Sequence, residues 1–217
     1  MSSFTSLRTT MVDTQIRPSD VTKYSIISAL LAVPRELYVP ANLREVAYAG
    51  QNVPIGDRRV MLEPRTLAKM LDALNIGPTD LVLDVAAGLG YATAVAARLA
   101  EAVVALEEDQ DLASEAESTL AAEGVDNAAV IQGPLTEGAP QHGPYDVIMI
   151  QGGVATLPQA FMDQLKEGGR IACLFMDSEC GAVRIGYKID GAVNWRFAFN
   201  AGAPVMPGFE AEKAFSL

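Results

Sequence analysis

The chain has 217 residues, half of them apolar, with 27 acidic against 16 basic side chains and a formal net charge of −11 at pH 7. That length and apolar share suffice for one globular core, and the acidic balance excludes the clustered Lys and Arg of a nucleic-acid-binding surface. Cys173, Cys180 and the single His142 match no zinc spacing, so no metal is expected and the thiols read as idle groups in a reducing compartment. Residues 1–20 lack the apolar stretch of a signal peptide, and no run of about 18 apolar residues exists to cross a membrane. A cytoplasmic protein that binds neither membrane nor nucleic acid is therefore expected.

In chain order, residues 3–39 read as helical with a break at Pro18. Ser19 and Asp20 offer an N-cap, and Val21, Tyr24, Ile27, Leu30 and Leu31 recur at helical spacing over residues 21–32. Pro34 and Pro40 interrupt the next stretch, Asn42 opens a short helix to residue 47, and residues 50–59 are rich in turn formers. Pro64 opens a helix over residues 65–74, which stops before Asn75-Ile76-Gly77-Pro78.

Residues 80–108, DLVLDVAAGLGYATAVAARLAEAVVALEE, organise the rest. Leu81, Leu83 and Val85 surround Asp84 in an apolar run of strand length. Ala86-Ala87-Gly88-Leu89-Gly90 breaks it, and the alanine-rich residues 91–100 suit a helix. Residues 102–106 form a second strand, closed by Glu107 and Glu108. This pattern places a nucleotide or nucleoside at the carboxyl end of a parallel strand. Glycines let the backbone approach the ligand, and the second strand's carboxylate accepts hydrogen bonds from ribose hydroxyls.

The alternation then continues. Residues 109–123 read as a helix with Asp109 at its cap and Gly124 past its end. Residues 128–131 form a strand leading to Gly133-Pro134-Leu135, and residues 146–150 a strand leading to Gln151-Gly152-Gly153. Residues 158–165 form a helix, residues 170–176 a strand, and residues 183–189 and 192–199 a hairpin about Asp190-Gly191. In the tail, Phe209 and Phe215 stand out as anchors. The fold class expected is α/β, a doubly wound Rossmann-like sheet with helical material in front and a closing β-hairpin. One domain is expected: residues 1–78 as a helical and substrate-loop part, 79–199 as the core, and 200–217 as the tail.

A dinucleotide fingerprint G-x-G-x-x-G would require glycine at Thr93, so a pyrophosphate ligand fits poorly. The strand-end acids, glycine turn and closing hairpin suit instead the class I S-adenosylmethionine-dependent methyltransferases. The resemblance is closer than class. Met11-Val12 with Gln15, VPRELYVP at 33–40, LREVAYAGQNVPIG at 43–56, Glu63-Pro64, VLDVAAGLGY at 82–91 and YDVIMI at 145–150 resemble the protein-L-isoaspartate (D-aspartate) O-methyltransferase family. LPQAFMDQLKEGGRIA at 157–172 continues that likeness.

The resemblance implies methyl transfer from S-adenosylmethionine, leaving S-adenosylhomocysteine, to the stray carboxylate of isoaspartyl residues in damaged proteins, a repair activity. It implies a cofactor site of Asp84, Ala86, Gly88, Gly90, Tyr91, Glu107 or Glu108, Pro134, Leu135 and Gln151. It also implies an acceptor loop of Met61, Leu62, Glu63 and Pro64. The sequence departs from the family pattern at Ala86, where the turn usually begins with Gly, and at Leu89, usually small or polar. Pro134 stands for an Asp that helps recognise adenine, and Leu62 for the hydroxyl residue of the acceptor loop. An alanine at position 86 is tolerable where φ stays negative. Arg58, Arg59 and Arg65 are candidates for carboxylate contacts. These departures open two alternatives: a member that has exchanged catalysis for a binding or assembly role, and a methyltransferase with a less polar acceptor.

Overall fold

A computed structural model of the chain describes residues 3–177 and 180–211. Apolar strands alternating with amphipathic helices build a seven-stranded sheet. Its strands are β3 (Leu81–Val85), β4 (Ala102–Glu107), β5 (Ala128–Gln132), β6 (Tyr145–Val154), β7 (Leu165–Phe175), β8 (Ala182–Ile189) and β9 (Ala192–Asn200). Their order across the sheet is β5-β4-β3-β6-β7-β8-β9. The first five pair in parallel, and β8 and β9 close the sheet antiparallel through the Asp190-Gly191 turn. Both turn residues have positive φ, as a two-residue hairpin requires.

Around the sheet lie α1 (Phe4–Met11), α2 (Tyr24–Ala32), α3 (Pro64–Leu74), α4 (Tyr91–Ala97), α5 (Gln110–Ala122) and α6 (Gln159–Gln164). Their buried positions explain their placement. In α3, Leu67, Met70, Leu71 and Leu74 fall on one face, each at most 1% exposed. In α4 every residue is buried, and it is short and rich in alanine because it lies against β3 and β4. At the start of α5, the Asp109 carboxylate accepts from the backbone N–H groups of Asp111 and Leu112, capping the helix as expected.

Several boundaries differ from the sequence reading. The front helix begins at Tyr24 rather than residue 21, after a π-helical and 3₁₀ stretch over Val12–Ile16 and Arg17–Ser19 that absorbs Pro18. The short helix before residue 47 is 3₁₀ over Ala41–Val46. Strand β7 starts at Leu165, taking in Gly168 and Gly169, which read as a helix stop. Strand β6 runs past Ile150 through Gly152 and Gly153. There a Cβ would meet Met206 Sδ at 2.4 Å or the Ala203 carbonyl oxygen at 2.8 Å. The tail lies flat on these two glycines: the Gly153 N–H donates to the Pro204 carbonyl at 3.0 Å and the Met206 N–H donates to the Gly153 carbonyl at 2.9 Å. Phe209 is fully buried and stacks on Phe161 at 6.2 Å, the anchor expected of it, whereas Phe215 lies outside the described residues.

The turn-rich segment contains a small antiparallel ribbon, β1 (Val53–Gly56) with β2 (Arg59–Met61), that periodicity does not reveal. Its strands are too short to alternate, and Pro54 and Gly56 mask them. This ribbon lies over the carboxyl ends of β3 and β4.

Candidate active site

The strand order turns back at β3, whose neighbours are β4 and β6, and a doubly wound sheet holds its ligand at such a switch point. Asp84 lies in β3, fully buried. Thr93 Oγ1 donates to it at 2.6 Å and Gln151 Nε2 at 2.8 Å, so α4 and the end of β6 both fix its rotamer. Burial raises the Asp84 carboxyl to about 7, against the two hydrogen bonds that favour its charged form; the nearby Glu107 carboxylate adds to the rise.

Glu107 ends β4, also fully buried, and is held by local backbone and by one remote side chain. The N–H of Gly88 donates to Oε2 at 2.7 Å, and those of Glu108 and Asp109 donate to Oε1 at 2.9 and 3.0 Å. Arg59 of β2 completes the set as a two-pronged fork, with Nη1 at 2.9 Å from Oε1 and Nη2 at 2.6 Å from Oε2. That pair is nearly out of water, with side-chain exposures of 8% and 0%.

The glycine turn between these acids has positive φ at Gly88, Gly90 and also Ala86, at +63°. The condition under which an alanine is tolerable there, a negative φ, is not met: Ala86 is held in the left-handed region. At Gly88 a Cβ would stand 2.4 Å from Ile55 Cδ1, because the β1–β2 ribbon rests on the turn.

The acceptor-loop residues follow directly from β2. Met61 and Leu62 point into the core, at 8% and 2% exposure. Glu63 accepts from Thr66 Oγ1, its N–H donates to Asn52, and Pro64 opens α3. The Leu62 carbonyl accepts from Nη2 of Arg35 at 2.7 Å, while Arg35 Nε donates to Ala47. Arg35 is entirely buried, stands 4.7 Å over the Tyr91 ring, and is made less basic by its burial. Sequence reasoning gives Arg35 no role; its place in VPRELYVP is the one available signal.

Leu62, Ala86, Ala87, Leu89, Tyr91 and Gln151 line one cavity of about 20 Å³ with Tyr38 and Ile55. Tyr38 Oη and Tyr91 Oη have no hydrogen-bond partner among the described residues. A separate opening of about 240 Å³ is bounded by Gly56, Asp57, Arg59, Glu108, Asp109 and Leu135. Glu108 is thus adjacent to Glu107 but faces this outer opening. Pro134 lines a further hollow with Leu106 and Ile131. Of the three arginines, Arg59 is taken by Glu107 and Arg58 pairs with Glu210 at 2.6 Å. Arg65 lies 3.9 Å from Glu63 and over the Phe199 ring. Among the described residues no group of His, Cys, Asp and Glu could hold a metal, and no helix is long and apolar enough to cross a membrane.

A mostly parallel sheet with acids at two adjacent strand ends and a glycine turn between them defines a Rossmann-like class I methyltransferase. The family model for protein-L-isoaspartate(D-aspartate) O-methyltransferase matches residues 7–182. A protein-L-isoaspartate O-methyltransferase of Methanoculleus marisnigri is 37% identical over 80% of this chain and 79% of its own. One from a Synechococcus strain is 38% identical over 77% and 69%. The chain belongs to the protein-L-isoaspartate (D-aspartate) O-methyltransferase family, whose methyl donor is S-adenosylmethionine. Among solved structures, one of a Plasmodium falciparum protein-L-isoaspartate O-methyltransferase, in complex with S-adenosyl-L-homocysteine, superposes with a TM-score of 0.79. It covers 94% of this chain and 98% of that one at 19% identity. Another protein-L-isoaspartate O-methyltransferase superposes equally well at 22% identity, over 93% of this chain and 66% of that one.

The donor set at the switch point fits S-adenosylmethionine: buried carboxylates for cationic and hydroxyl groups, and a turn that lets backbone come close. The cavity behind the turn is small, about 20 Å³; Ile55 of the β1–β2 ribbon lines it, while Arg59 of the same ribbon takes Glu107 and borders the outer opening.

Proposed function

We propose that this chain is a protein-L-isoaspartate O-methyltransferase that esterifies isoaspartyl carboxylates of cytoplasmic proteins, the three parts of the chain acting as one domain. The observation that carries this reading is the convergence of the acceptor loop and the glycine turn on one spot. Leu62, Ala86, Tyr91 and Gln151 wall the same cavity, with Asp84 directly behind Gln151.

S-adenosylmethionine, when bound, supplies a methyl on a sulfonium sulfur. An acceptor carboxylate ordinarily titrates at about 4 and is already ionised at neutral pH, so no side chain has to remove a proton. The protein's work is alignment, exclusion of water and placement of charge. Glu107 would hold the ribose hydroxyls, the Gly88–Gly90 turn would admit the amino-acid end past the backbone, and Asp84 with Gln151 would face that end. Glu108 and Leu135 border the adenine side. Leu62 supplies an apolar wall where the family has a hydroxyl, and the fixed Leu62 carbonyl, gripped by Arg35, keeps the loop in register.

The test is transfer of radiolabelled methyl to an isoaspartyl peptide beside its normal-aspartyl twin, with the Leu62→Ser variant in parallel. Selective labelling of the isoaspartyl peptide is expected, and Leu62→Ser should raise it. Equal labelling of both peptides, or none in either protein, would overturn the reading.

A further inference from the structure

Arg59 has no role in the alignment described above, yet its guanidinium takes both oxygens of Glu107, the carboxylate best placed to hold a ribose diol. A carboxylate has room for few partners, and here Gly88, Glu108, Asp109 and the Arg59 fork saturate it. Hydroxyls cannot donate to Glu107 while the guanidinium stays. The same ribbon drives Ile55 onto the Gly88 backbone, where the ligand has to approach.

Resting on the reading above, we infer that Arg59 is an intramolecular competitor for the ribose position, so that cofactor binds by exchanging a sugar diol for the guanidinium at Glu107. Among the described residues the ribbon's polar links to the rest of the molecule are few: the buried fork, the exposed Arg58–Glu210 pair, and Asn52, just before β1, donating to the Gly202 carbonyl at 2.8 Å; its apolar hold is Val53 and Met61. The exposed pair is the weak one. Arg59 also has somewhere to go: Glu108, Asp109 and Asp57 border the outer opening beside it, and its Nε, buried without a hydrogen-bond partner among the described residues, would gain solvent there. Apparent affinity then equals intrinsic affinity reduced by the fraction of molecules with the ribbon lifted. Arg59 thus sets cofactor affinity without touching the reacting atoms.

The experiment is isothermal titration of S-adenosyl-L-homocysteine into the full chain and into Arg59→Met, whose flexible apolar stem keeps the ribbon's packing. Alongside it, hydrogen exchange of residues 53–61 in the unmodified protein is followed with and without ligand. Expected are an affinity gain of about tenfold or more in Arg59→Met and faster exchange of the ribbon amides on ligand binding. Unchanged or weaker binding by Arg59→Met, or ribbon amides equally or better protected in the complex, overturns the competition and leaves the methyltransferase reading standing. The exchange arm decides the matter if the variant fails to fold. No binding by either protein overturns the cofactor reading, and the competition falls with it.

Discussion

At the strand ends, Glu107 is held by backbone amides, two from the next two residues and one from Gly88 in the turn, and Asp84 by Thr93 of α4 and Gln151 of β6. Above them, residues 53–64 reach the same place from far away in sequence and through side chains, Arg59 to Glu107 and Leu62 to the buried Arg35. The lower region keeps a left-handed turn even at a residue that suits it badly, Ala86. The upper region presents apolar and self-pairing side chains, Leu62 and Arg59 among them. Backbone-held sites tolerate substitution because the chain path supplies the donors, whereas a wall of side chains is rewritten by each replacement.

The largest effect should come from cutting the one strong link between the regions. Glu107→Ala leaves the Arg59 guanidinium buried without its partner, which costs about 3–5 kcal/mol of folding stability. Adding Arg59→Met should recover much of that loss in chemical denaturation. A cost under about 1 kcal/mol would mean that Arg59 already reaches water, the behaviour of a surface pair. Next is Leu62→Ser. The side chain is 2% exposed, so truncating it and burying a hydroxyl costs about 2–4 kcal/mol. Higher methyl transfer together with lower stability would separate the wall's two roles; a neutral change in stability would mean that the loop is open in solution.

The third effect is a slope with pH. Asp84 titrates near 7 when folded and near its ordinary carboxylate value when unfolded. Between those values the folded state holds the extra proton, so its contribution is full at acid pH and is lost as pH rises through about 7. The unmodified protein should therefore lose more stability than Asp84→Asn between pH 5 and 8, by up to a few kcal/mol. Thermal melts across that range check it, and parallel curves for the two proteins would place Asp84 in contact with water.

The same division explains what the sequence could and could not reveal. Strands β3, β4 and β6, the turn glycines and Glu107 are local patterns, apolar runs closed by acids and glycines, and they are legible one segment at a time. The ribbon is not, because three- and four-residue strands have no usable period. Arg59 reads as one of three arginines in a turn; what distinguishes it is a partner 48 positions away. Arg35 is hidden likewise, since its donors meet carbonyls of Ala47 and Leu62, and carbonyls leave no trace in a sequence. Leu62 is legible as a departure, but its burial is not, since that is set by the three-dimensional packing around it.

The smallest effect is also the one that tests the comparison most sharply. Ala86 is held at φ +63° and is 1% exposed. An L-residue in that region costs about 1–2 kcal/mol. Glycine there would remove the strain but lose about 0.5–1 kcal/mol to the greater freedom of the unfolded chain, and it would give up the packing of one buried methyl. Ala86→Gly should thus stabilise the fold by no more than about 1 kcal/mol, read as a small rise in denaturation midpoint. A net loss would mean that the methyl is well packed beneath the ribbon, and that the lower region too has adapted to being covered. A gain would mean that the turn is still shaped by its backbone alone and carries the alanine as a tolerated defect. Because Ala86 lines the small cavity, the same variant should also take cofactor no less readily than the unmodified chain.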